Sequence, residues 1–102
     1  MHDVITIGSA TRDVFLRSKH IRIMDDPTFS TGEAQCFALG SKIDVQDILF
    51  ETGGGATNTA VGFSRQGLKT AFVGRIGHQD ARGRELLAVM TEEGVDTSLV
   101  VR

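Results

Sequence analysis

Hydrophobic and polar positions change period along this chain, and the change divides it into two differently built parts. Val4-Ile5-Thr6-Ile7 is β-branched throughout and stops at Gly8-Ser9, which predicts a buried strand opening into a loop at its C-terminal end. Residues 14–17 predict a second short strand. Residues 21–32 are polar and broken by Asp26-Pro27 and Thr31-Gly32, so they are expected to be exposed loop. Apolar residues at 36–39 and 48–51 flank Gly40-Ser41-Lys42, and residues 43–47 alternate apolar and polar. That pattern suits two or three antiparallel strands solvated on one face.

After Thr57 the spacing becomes that of alternating strands and helices. Residues 58–66 predict a short helix ended by Gly67, and residues 70–73 a strand after a turn at Leu68-Lys69. The clearest helix is predicted over 82–93, where Leu86, Leu87 and Met90 form an apolar stripe and Gly94 follows as a C′ glycine. Asp80 is placed to cap it, and Gly83, a poor helix former in its first turn, implies close packing against a neighbour. Residues 98–101 open another strand. The order implies an α/β fold with a right-handed parallel sheet. The helices cover only part of such a sheet, so the chain is expected to be part of a larger domain or of an oligomer.

Composition narrows the function. Of the 102 residues, 40% are hydrophobic and 24% charged, as in folded chains. The net charge of −2 leaves no basic surplus for phosphates on a duplex, so nucleic acid is not an expected partner. Cys36 is the only cysteine, which excludes an intramolecular disulfide, and no Cys/His cluster has zinc-ligand spacing, so no metal site is expected. The N-terminus carries Asp3 where a signal peptide has basic residues, and no apolar run is long enough to span a membrane; a cytoplasmic location is expected.

Nine of the twelve glycines lie between Gly53 and Gly94, and candidate chemistry concentrates in Gly53-Gly54-Gly55-Ala56-Thr57-Asn58. Three glycines before a helix let the backbone turn sharply and bring peptide N–H groups close to a ligand. The run matches neither a dinucleotide fingerprint nor a Walker loop. A carboxylate at Asp13, just after a strand-loop junction, accepts hydrogen bonds from two vicinal hydroxyls as readily as it caps a turn. The Asn58 amide both gives and takes a hydrogen bond, which suits hydroxyls and equally suits an N-cap. His78 reads as an exposed loop histidine, Arg12 and Arg75 as surface cations, and Cys36 and Phe37 either as cover for a ligand or as residues buried in the sheet.

Gly53-Gly54, Asn58, Ala60, Gly67, Gly77, Asp80, Gly83 and the closing Gly94-Val95-Asp96-Thr97, with residues 4–13 before them, resemble the N-terminal signature of the phosphofructokinase-B (ribokinase-like) family of carbohydrate and nucleoside kinases. Residues 18–35 are the least family-like. The resemblance implies the N-terminal part of a Rossmann-type sheet, with a small β-sheet lid at about 14–17 and 36–52 and a βαβ portion at 53–102. It makes Asp13, Gly54, Gly55 and Asn58 contacts to a sugar or nucleoside, and it implies ATP and Mg²⁺ as cofactors and a possible homodimer through the lid. The Gly-x-Gly-Asp motif that supplies the family's catalytic base is absent here, so the base is expected beyond Arg102 and the chain alone is expected to be inactive. Two other readings are a non-catalytic small-molecule binding module and a subunit completed by a second polypeptide.

Overall fold

The computed structural model describes all 102 residues. Eight elements follow in the order β1 (Val4–Ile7), β2 (Thr11–Arg17), β3 (Arg22–Asp25), β4 (Glu33–Cys36), β5 (Asp47–Gly53), α1 (Gly55–Arg65), β6 (Thr70–Val73) and α2 (Ala81–Glu92). They form two compact units, Met1–Asp13 with Glu51–Arg102, and Val14–Phe50. No helix is long and apolar enough to cross a membrane.

In the first unit β1 and β6 pair in parallel, Val4 opposite Thr70 and Ile7 opposite Val73. The core is Ala56 and Ala60 of α1, Phe72 of β6, Leu86, Leu87 and Met90 of α2, and Val95. The apolar stripe predicted on α2 is thus the face that packs, and α2 starts where expected, because the Asp80 carboxylate accepts from the Arg82 N–H at 3.0 Å. Both helices end in the same way. Gly67 and Gly94 take positive φ (88° and 78°), and the following residues, Leu68 and Val95, donate back to the carbonyls of Phe63 and Met90. Gly83 is buried, and a Cβ there would lie 3.3 Å from the Ile76 side chain, so the packing expected of it is real.

Two expectations for this unit need correction. β1 is not a buried strand, since only Thr6 is buried while Ile5 and Ile7 are 50% and 77% exposed. Alternation puts Thr6 on one face and both isoleucines on the other, and in this chain only one of those faces is covered. Residues 98–101 do not form a continuous strand. Two isolated parallel bridges, Ala71 of β6 with Asp96 and Arg75, just past the end of β6, with Val101, are separated by a turn in which the Val100 N–H donates to the Thr97 carbonyl at 3.1 Å. Asp96 sets up the interruption, because its carboxylate accepts from the Ser98 N–H at 2.8 Å.

That carboxylate also carries a pH dependence. The Ser98 backbone N–H, the Ser98 hydroxyl and the His2 ring, whose Nε2 lies 2.8 Å from Asp96 Oδ2, hold the Asp96 pKa down to about 2 from 3.8. A carboxylate with a depressed folded-state pKa adds stability that is present above the unfolded value and is lost as pH falls through the folded one. Asp96→Asn is therefore expected to lower the urea midpoint at neutral pH, with the gap to the wild type closing between about 3.8 and 2. Urea titrations over that range check it, and a gap unchanged with pH would contradict it.

The Val14–Phe50 unit contains a hairpin where the polar pattern predicts loop. β3 and β4 pair antiparallel, Arg22 opposite Cys36 and Asp25 opposite Glu33. Residues 26–32 connect them, closed by the Asp26 N–H on the Gly32 carbonyl at 2.9 Å, with the Asp26 carboxylate accepting from both the N–H and the hydroxyl of Thr28. Those two hydrogen bonds hold the Asp26 pKa below its ordinary value. The alternating residues 43–47 are not a strand of their own. Strand structure resumes only at β5, which pairs with β2, and β2 begins at Thr11, earlier than the pattern predicts. No residue of this unit is buried.

Candidate functional site

The first unit brings the end of β1, the start of β2, the end of β5 and the start of α1 to one place. Gly8 continues the β1 ladder by donating to the Val73 carbonyl at 3.1 Å, and the chain then turns through Ser9 and Ala10. Gly54, the N-cap of α1, sits directly against that turn with φ 103°. A Cβ on Gly54 would overlap the Ser9 carbonyl oxygen and lie 2.8 Å from Ala10 Cα, so glycine is required there by space and by backbone conformation together. Ser9 completes the junction, its hydroxyl accepting from the Gly55 N–H at 3.2 Å. From the other side the buried Thr57 hydroxyl donates to the Gly53 and Gly54 carbonyls, at 2.5 and 3.0 Å.

The Asp13 carboxylate lies on Gly53. A Cβ on that buried glycine would overlap the carboxylate, with Asp13 Cγ 2.7 Å away. Asp13 itself is exposed and accepts one hydrogen bond, from the Thr11 hydroxyl at 3.1 Å. Its remaining acceptor capacity faces a loop whose peptide groups lead into a helix N-terminus, where partial positive charge favours an anion and its hydrogen-bonded partners. Asn58 lies one helical turn further on, its N–H donating to the Gly54 carbonyl at 2.9 Å. Its amide is exposed and is not the N-cap, because α1 begins three residues earlier than periodicity predicts. The side chain is therefore available to a ligand.

Of the four residues singled out in the sequence, the structure brings Asp13 to the glycine turn and sets Gly54 and Asn58 at opposite ends of one helical hydrogen bond. Gly55 differs from its neighbours. It has ordinary φ and open space at its Cβ position, so the chain itself does not require glycine there. Sequence reasoning misses Ser9, and it misses the parts played by Gly53 under the Asp13 carboxylate and by the Thr57 hydroxyl on the turn carbonyls. Arg12 is not a free surface cation, since its guanidinium donates to the Glu85 carboxylate of α2. His78 is exposed, as expected of a loop histidine.

The model of the pfkB family of carbohydrate kinases matches residues 1–102, the whole chain. The chain belongs to this family. A pfkB protein from Polaromonas sp. JS666, solved by crystallography, is 33% identical, with a TM-score of 0.65 over 99% of this chain and 27% of that one. The 5-dehydro-2-deoxygluconokinase of Geobacillus kaustophilus is 41% identical over 49 residues, which are 48% of this chain and 14% of the relative. Ribokinase of Arabidopsis thaliana, solved with ribose and ATP, shares the fold at a TM-score of 0.71 and 22% identity, over 98% of this chain and 28% of that one. The α/β, ribokinase-like fold expected for this pfkB chain is the fold found, and the chain spans about a quarter of the length of the solved relatives it matches.

Proposed function

We propose that these residues form the substrate-binding part of a kinase that moves the γ-phosphoryl group of ATP onto a hydroxyl of a sugar or nucleoside. The observation that carries this reading is the Asp13 carboxylate lying on the Gly53-Gly54 turn with most of its acceptor capacity unused. A carboxylate so placed accepts from two vicinal hydroxyls, Asn58 gives and takes at a third, and a sugar ring can approach main chain at Gly55, where the Cβ position is open, whereas that of Gly54 is filled by Ser9 and Ala10. The pfkB family match and the similarity to a sugar kinase over about half of the chain support it.

Mg²⁺-ATP does not fit the residues present. No group of three or more His, Cys, Asp or Glu side chains stands ready for a metal ion, and the chain contains no Gly-x-Gly-Asp. The catalytic base and the nucleotide site of this kinase are assigned to parts of it other than residues 1–102. The Val14–Phe50 unit serves as a lid and pairs with a second copy of itself. Its support is a surface that leaves Val14, Phe15, Leu16, Ile48, Leu49 and Phe50 all exposed.

The test is ATP turnover by the natural full-length protein over a panel of pentoses, hexoses and nucleosides, with sedimentation of the same sample. A dimer that phosphorylates one class at roughly 1–100 s⁻¹ is expected. Binding without turnover would favour the non-catalytic module instead, and a monomer would contradict the pairing through residues 14–50.

A further inference from the structure

Residues 19–42 surround a cavity of about 480 Å³ that lies wholly within the Val14–Phe50 unit. One face of the β3–β4 hairpin contributes to it. Register pairs Arg22 with Cys36 and Met24 with Ala34, and directly opposed residues share a face, as do residues two apart on a strand. Arg22, Met24 and Cys36 therefore stand together, and all three line the cavity. The rest of the lining comes from Lys19-His20 and from the 37–42 turn, where the N–H and hydroxyl of Ser41 both donate to the Ala38 carbonyl.

The charge in this cavity is one-sided. Lys19, Arg22 and Lys42 line it without an ion-pair partner in the chain, and no carboxylate lines it. Asp44 lies 3.7 Å from the His20 ring and is fully exposed. Asp25 and Glu33 fall on the opposite face of the hairpin by the same register. Three unpaired cations suit a multiply charged anion, and a guanidinium suits the oxygens of a phosphate. Phe37 and Met24 line the same cavity at 57% and 56% exposure, which a bare phosphate would leave uncovered. The volume falls within the range of about 300–1,000 Å³ usual for small-molecule sites.

We propose that this cavity binds a nucleotide, its phosphate held by Lys19, Arg22 and Lys42 and its flat base laid on Phe37 and Met24. None of these residues belongs to the Asp13 site. The ligand class follows from the combination, since charge alone would suit any anion and an exposed aromatic alone any planar apolar molecule.

The probe is AMP, titrated into the natural full-length protein with isotope-labelled backbone amides, with adenosine and inorganic phosphate as separate arms. AMP is expected to move the signals of residues 19–24 and 36–42, and each partial ligand to bind about tenfold or more weakly. Arg22→Gln and Lys42→Gln, both exposed, should each weaken AMP about tenfold, whereas Phe37→Ala should weaken AMP and leave inorganic phosphate unchanged. Asp13→Ala should leave AMP binding at these residues as in the wild type. The proposal is overturned if AMP leaves these signals in place, if adenosine or inorganic phosphate binds as tightly as AMP, or if Arg22→Gln and Lys42→Gln bind it normally.

Discussion

Residues 1–102, expressed alone, are expected to transfer no phosphoryl group from ATP to any sugar or nucleoside. Phosphoryl transfer asks little covalent work of a protein and much positioned charge, to orient the attacking hydroxyl and to stabilise the equatorial oxygens in the transition state. Removing one preorganised donor from a site of this kind costs about 10²–10³ in rate. The chain has no Gly-x-Gly-Asp and no metal-ligating cluster, and its helix N-terminus at Gly55 is already engaged by Ser9 and set beside Asp13. Sugar binding by the isolated chain should be weak, and the exposed Ile5, Ile7 and Val101 should promote association. ATP turnover over the same substrate panel checks this. Turnover at roughly 1–100 s⁻¹, abolished by Asp13→Ala, would show that the catalytic groups lie within these residues.

What the sequence shows of this fold depends on how much each segment owes to its own pattern. α2 is legible from end to end because its apolar stripe, its Asp80 cap and its Gly94 terminus are all local, and each is used as its chemistry suggests. The start of α1 is not. Glycine reads as turn, and α1 begins at Gly55 through contacts made by Ser9, far away in sequence, and by Thr57 with the carbonyls before it. The β3–β4 hairpin is hidden for a different reason. A unit without a buried residue imposes no apolar period on its strands, so Arg22-Ile23-Met24-Asp25 looks like loop although each of its residues pairs with one of β4. Conversely, the apolar residues at 99–101 look like strand, and Asp96 breaks the ladder by turning onto Ser98. The site divides along the same line. Asp13, Gly54 and Asn58 are visible through their resemblance to a family signature, whereas the contact between Asp13 and Gly53 joins two distant strands and only the folded chain shows it.

Asp13 and Asn58 carry the largest expected effect of any single substitution on substrate binding. Each has side-chain hydrogen-bonding capacity unused within the chain, Asp13 beside the glycine turn and Asn58 on α1, so a bound hydroxyl that loses either one is left without its partner. Asp13→Ala and Asn58→Ala should each cost about 1.5–3 kcal/mol of substrate binding, or roughly 10- to 100-fold in Kd. Neither change should unfold the protein. Asp13 is exposed and holds only Thr11, and Asn58 is exposed on α1, its structural part played by backbone alone.

The measurement that bears most directly on this reading is calorimetric titration of the natural full-length protein and of these two variants with the substrate found in the panel, with ATP binding followed alongside. Weakening of the substrate by about 10- to 100-fold in both variants, with ATP affinity nearly unchanged, is the predicted result. Wild-type substrate affinity in both variants would contradict the assignment of the Asp13 turn as the place where the hydroxyls bind.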